Sequence, residues 1–178
     1  MRAPTDLHPD DREARLALRA LLITARKEAG HSQASLAAIL GCTQTAVARY
    51  ELGEFQRINP ARRIAHHLGL RIVMFPDGVP GGPYDDPAML AFRPAEFTAA
   101  SVWDQQHLMS GLVTARRACG HTQASLARLL GTTENALGEF ERSPHVPLFG
   151  SVQRYCRPLG GWLWLGVESL RPVGAVAA

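Results

Sequence analysis

At 178 residues, with 46% hydrophobic and 20% charged residues and a net charge of +3, the chain has room for one domain or two small ones. That balance excludes a disordered polyelectrolyte. Three scattered cysteines, Cys42, Cys119 and Cys156, make no CxxC pair, which argues against a disulfide scaffold and fits a reducing cytosol. The most apolar stretch, Leu159 to Val167, is too short to span a bilayer, and Met1 to Asp10 carries no secretory core.

Residues 1–9 read as a loose tail. Asp10, Asp11 and Glu13 then place negative charge where a first helical turn favours it, and Leu18, Leu22, Ala25 and Ala29 follow at helical spacing up to Gly30. Ser32 suits the cap of a short second helix ending at Leu40, Gly41 permits a tight turn, and Thr43 suits the cap of a third helix from Gln44 to about Leu52. Asn59-Pro60 reads as cap and first residue of a fourth helix, closed by Gly69. Leu70 to Phe75 is β-rich and reads as a strand, completing a first domain over 10–75.

Residues 76–97 hold a Pro/Gly-rich linker. Ser101 with Asp104 suggests a capping box. Helices are expected over about 102–119, 123–130, 134–141 and 148–157, with Trp162 to Leu165 echoing the earlier strand. The second domain is thus 98–170, and 171–178 a frayed end.

The two domains are copies. Gly30-His31-Ser32-Gln33-Ala34-Ser35-Leu36-Ala37 returns ninety positions later as Gly120-His121-Thr122-Gln123-Ala124-Ser125-Leu126-Ala127, and the match runs on to Glu51 and Glu141. Both are basic. From Arg15 to Arg71 nine basic residues face three acids; from Gln105 to Gly166 six face three. A basic module suits a polyanion. No GxGxxG, GxxxxGK, GxSxG or HExxH pattern occurs, so neither an enzyme nor a cofactor or metal site is expected.

Helix, short glycine-bearing turn, helix is the helix-turn-helix outline. The run from Gln33 to Gly53 resembles the Cro/C1-type (XRE) helix-turn-helix family. Arg26, Gly30, Gln33, Leu36, Ala37, Leu40, Gly41, Val47, Glu51, Gly53 and Leu68-Gly69 carry the likeness. Arg116, Gly120, Gln123, Leu126, Ala127, Leu130, Gly131, Leu137, Glu141, Pro147 and Leu159-Gly160 repeat it. The resemblance implies a mainly α protein: two lambda-repressor-like helical domains in tandem. A short strand after each copy resembles HipB-like antitoxins, whose strands pair between subunits; here the two are positioned to pair within one chain.

With Val47 and Tyr50 facing inward, the third helix offers Gln44, Thr45, Ala48 and Arg49 to base edges in a major groove. Gln33 and Thr43 are placed for phosphates. Arg57, Arg62 and Arg63 follow the reading helix, where the resemblance implies backbone contacts. In the second copy Glu134 and Asn135 would read bases, with Gln123, Thr133 and Arg142 at phosphates; Glu134, Gly138 and Glu139 make it a poorer reader.

The expected function is a cytoplasmic, nucleoid-associated transcriptional regulator, a repressor by occupancy, bound to double-stranded DNA at an asymmetric or two-half-site operator. It would act as a monomeric pseudo-dimer or a homodimer, away from membranes. The alternative is an antitoxin or anti-activator whose C-terminal domain grips a protein partner while only the first copy binds DNA.

Overall fold

The computed structural model describes residues 9–53, 57–80, 92–143 and 148–170; the expected tails and the middle of the linker lie outside them. Four helices come first: α1 (Pro9–Glu28), α2 (Gln33–Leu40), α3 (Gln44–Glu51) and α4 (Ile58–His67). Strand β1 (Leu70–Asp77) follows. Then come α5 (Phe97–Ala118), α6 (Gln123–Leu129), α7 (Glu134–Arg142), α8 (Phe149–Cys156), a 3-10 turn (Arg157–Leu159) and strand β2 (Trp162–Ser169).

Local chemistry sets the boundaries. The Ser32 hydroxyl accepts from the Ser35 amide at 3.0 Å, and the Thr43 hydroxyl from the Ala46 amide at 3.2 Å. Each satisfies an amide that the helix itself cannot. Gly41 ends α2 at φ 60°, a left-handed conformation that costs a side-chain-bearing residue energy. Thr122 and Thr133 repeat the caps.

Three expected boundaries are corrected. Helix α4 begins at Ile58, before Asn59-Pro60, because Arg57 is held extended in an isolated antiparallel bridge to Leu148. Pro60 then falls in the first turn, where amides lack helical partners anyway. Helix α5 begins at Phe97: the Glu96 carboxylate accepts from the Thr98 and Ala99 amides at 2.8 Å. Ser101 and Asp104, expected as a cap, are buried inside that helix. The strands run past Phe75 and Leu165 because each supports the other, from Leu70 opposite Ser169 to Asp77 opposite Trp162. Ile72, Met74, Leu163 and Leu165 share the face turned to the helices. Phe75 and Trp164 stack on the other face at 4.9 Å.

Equivalent positions in the halves lie ninety residues apart through α3 and ninety-one apart from α4 onward. By that count Met74 and Leu165 are equivalents, and they are direct partners in the sheet. Arg57 and Leu148 are equivalents too, and they bridge. Arg62 on α4 donates to the Ser101 carbonyl on α5 at 3.2 Å. Its equivalent, Gln153 on α8, donates to the equivalent carbonyl, Asp11 on α1, at 2.7 Å. Helix α1 packs on β2 and α5 on β1. This is the reciprocal pattern of a two-fold interface, in which i meets j and j meets i.

The core is continuous across that interface. Leu18, Leu36, Val47 and Ile58 from the first half join Leu112, Leu126, Leu137 and Phe149 from the second, with Ile72, Leu163 and Leu165 in the same cluster. Each such side chain contributes about 1.5–3 kcal/mol by leaving water.

Candidate nucleic-acid interface

Helix α3 is fixed by its apolar side. Val47 is fully buried and Tyr50 packs against the core, while Gln44, Thr45 and Arg49 are exposed and Ala48 is half-buried. One-turn spacing puts 44, 45, 48 and 49 on one side. That set includes an amide and a guanidinium, the groups that pair bidentately with adenine and guanine.

The end of α3 is clamped. Arg26 on α1 donates two bonds to the Glu51 carboxylate and a third to the His31 carbonyl. Gln33 on α2 donates to the same carboxylate at 2.7 Å. One acid therefore ties three helices together. Burial opposes charge on Glu51, but the bonds from Arg26 and Gln33 and the Arg26 charge outweigh it and hold the carboxyl below its ordinary value. Gln33, expected at a phosphate, thus commits its amide to this clamp. Thr43 is exposed at the start of α3, with its hydroxyl proton still available to donate.

The three arginines after α3 part ways. Arg57 is exposed. Arg63 is exposed while donating to the Leu40 carbonyl, the last of α2. Arg62, expected at a phosphate, is corrected: it is 4% exposed and faces the other half. Burial lowers its pKa to about 10, against the opposing charge of Asp104. The signal was in the spacing, since Ile58, Arg62 and Ala65 fall on one helical face, whose other members are buried. The neutral Gln153 at the equivalent position points the same way.

The second half repeats the scaffold with different chemistry. Arg116 donates to Glu141 at 2.8 and 3.1 Å and to the His121 carbonyl at 2.8 Å, and Gln123 donates to Glu141 at 2.8 Å. Gln123, like Gln33, serves the clamp. Tyr155, which sequence reasoning passed over, adds a bond of 2.6 Å from its hydroxyl to Glu141. Burial first, then the adjacent carboxylate, push this phenol far above its usual range. On α7, Glu134, Asn135 and Glu139 are exposed and Gly138 is buried. Arg142, expected at a phosphate, folds back along α7, its Nε donating to the Gly138 carbonyl at 3.0 Å. A Cβ on Gly138 would stand 3.4 Å from its Nη2, in ordinary van der Waals contact with that guanidinium. Thr133 caps α7 as Thr43 caps α3.

Among the described residues no three His, Cys, Asp or Glu gather as a metal site, and no helix is long and apolar enough to cross a membrane. Cys156 is buried and unpaired as a disulfide, its thiol pushed up by burial.

The helix-turn-helix family matches residues 22–75, from within α1 into β1. No curated protein and no solved structure matches the chain. The matched segment contains the capped α2–α3 pair, the buried Val47 and the exposed Gln44, Thr45 and Arg49. Residues 22–75 are therefore a helix-turn-helix domain of the Cro/C1 type, the kind carried by sequence-specific DNA-binding regulators.

Proposed function

We propose that the whole chain is a sequence-specific transcriptional regulator of the cytoplasm that binds double-stranded DNA as a pseudo-dimer. The second half acts as another helix-turn-helix unit, and repression follows from occupancy, with no catalytic step. One observation carries this reading: the crossed pair Arg62–Ser101 and Gln153–Asp11, arranged about the equivalents Met74 and Leu165. Helix-turn-helix dimers use a two-fold interface to set two reading helices on half-sites one helical turn apart. Here one chain supplies both. The reading helices differ, with Gln44 and Arg49 against Glu134 and Glu139, so the preferred site is asymmetric. Arg142, seated over Gly138 on the reading side of α7, gives the second half a cation despite its acids.

A second reading is favoured by Trp162 and Trp164, 45% and 39% exposed on the sheet. Together with Glu134 and Glu139 they suit a protein partner, as in an antitoxin or anti-activator whose first half alone binds DNA.

Selection of bound sites from a random duplex pool, with the full-length protein, separates the readings. The pseudo-dimer yields a long site whose two halves differ. A short single site favours the second reading, and a palindrome requires two chains. Failure to enrich any site overturns both.

A further inference from the structure

We propose that the first half holds a binding site for a small aromatic carboxylate, set between its reading helix and α4. A cavity of about 210 Å³ opens there. Among the described residues, Leu40, Tyr50, Ile64 and Phe97 give it apolar walls, and Asn59 and Arg63 its polar side. An apolar cavity of roughly 150 Å³ suffices for a benzene ring. Arg63 commits one N–H to the Leu40 carbonyl, and no carboxylate among the described residues pairs with it. A guanidinium beside an apolar slot of one-ring size selects a planar anion with an aromatic body.

The second half serves as an internal control. Arg154 donates to the Leu130 carbonyl as Arg63 does to that of Leu40, and Phe140 stands where Tyr50 stands. The equivalent of Ile64, however, is Tyr155. Its ring stacks with Phe140 at 5.9 Å, its hydroxyl bonds Glu141, and it is fully buried. The second half thus carries a buried ring at the position where the first has the smaller Ile64. Tyr155 shows only that this part of the fold accepts a flat ring; its hydroxyl turns to Glu141, whereas the polar side of the first cavity is set by Arg63 and Asn59.

The walls belong to parts of the proposed regulator that meet at the reading helix and the interface between halves. Tyr50 lies on α3, Leu40 ends α2, and Phe97 comes from the first turn of α5 in the other half. An occupant therefore touches both the reading helix and the interface between halves. That regulatory consequence rests on the DNA-binding reading; occupancy itself does not.

The test uses the full-length protein without DNA and benzoate as probe, with benzamide as the neutral match and acetate as the ringless one. Benzoate is expected to shift the methyl resonances of Leu40 and Ile64 saturably, with a dissociation constant of about 1 mM or tighter. Benzamide and acetate bind at least about tenfold more weakly, the scale of one charge-assisted bond. Ile64→Tyr, which copies the second half, abolishes the shifts. Arg63→Gln, at an exposed position, brings benzoate down to the benzamide level and keeps the test alive should Ile64→Tyr misfold. Absence of saturable shifts overturns the site, as do equal shifts in a folded Ile64→Tyr protein. Equal binding of benzamide overturns the anion class. If benzoate binds and leaves operator affinity unchanged, the site stands and its regulatory role falls. If no DNA binds at all, only the DNA reading falls.

Discussion

Arginine roles diverge over a few residues, and charge alone does not sort them. Arg57 and Arg62 looked alike in the chain, since both follow the reading helix in a basic stretch. Position on the helical face separates them: Arg57 meets solvent, and Arg62 falls on the stripe with Ile58 and Ala65. The stripe was legible; what covers it was not, because the cover is α5 from the other half. Arg62→Gln, the residue used at position 153, should therefore leave the salt dependence of DNA binding unchanged. Arg57→Gln should lower the slope of log affinity against log salt by about one, as loss of a phosphate contact does. Binding titrations over a salt series read both. Arg49→Ala should instead relax preference at one base position by about 1–3 kcal/mol. Equal affinity for all single-base variants before and after that change would remove Arg49 from the reading surface.

Among elements, α3 and α7 share a clamp and differ in how deeply it is set. Arg116 and Glu141 are 6% and 4% exposed as side chains, against 8% and 15% for Arg26 and Glu51. Removing one partner of a buried pair leaves the other charge stranded, at about 3–5 kcal/mol. Glu141→Gln should therefore lower stability by roughly that amount, and Glu51→Gln by less, in denaturant titrations. The folded pKa values of both acids lie below the unfolded value near 4.5. Their contribution is thus complete above pH 4.5 and lost as pH falls through the folded values. Melting temperature should decline below about pH 4.5, less steeply in Glu141→Gln. Gly138→Ala in α7 should add up to about 1 kcal/mol of helix stability with the Arg142 seat kept. Thr122 and Thr133 cap α6 and α7 in the same way as Ser32 and Thr43 cap α2 and α3. The caps of α2 and α3 were readable, because they act on amides three residues away. The start of α5 was not: Glu96 caps it where Ser101 looked the better candidate, and the extra turn is anchored by Phe97 beside His66 on α4, at 5.1 Å. Strand length was hidden for the same reason, since each strand's far end is held by its distant partner.

For the molecule as a whole, two units near the lower size limit for independent folding share one core. A fragment ending at residue 80 loses β2 from α1 and leaves Ile72 without its cover. It should be unfolded by circular dichroism, and mixing it with a fragment beginning at residue 92 should restore helicity and a cooperative melt. A folded, monomeric first fragment would show that the crossed contacts are not needed for stability. The strands announced a place for the halves to meet, and they pair there. The crossing of Arg62 and Gln153 was unreadable, because each partner is a backbone carbonyl in the other half and leaves no trace in side-chain pattern.

Housing both partners of the dyad in one polypeptide has a corollary for dosage. Subunits that must find each other by diffusion separate on dilution, so the bound fraction of a two-part target drops with the square of their abundance. Here the stretch between Asp77 and Phe97 keeps each half beside the other at an effective concentration on the order of millimolar, whatever the cell contains. On the pseudo-dimer reading proposed above, occupancy then tracks copy number to the first power, graded instead of thresholded. On the same reading, separate codons for the two halves let their exposed helix faces differ, as Glu139 standing where Arg49 stands illustrates.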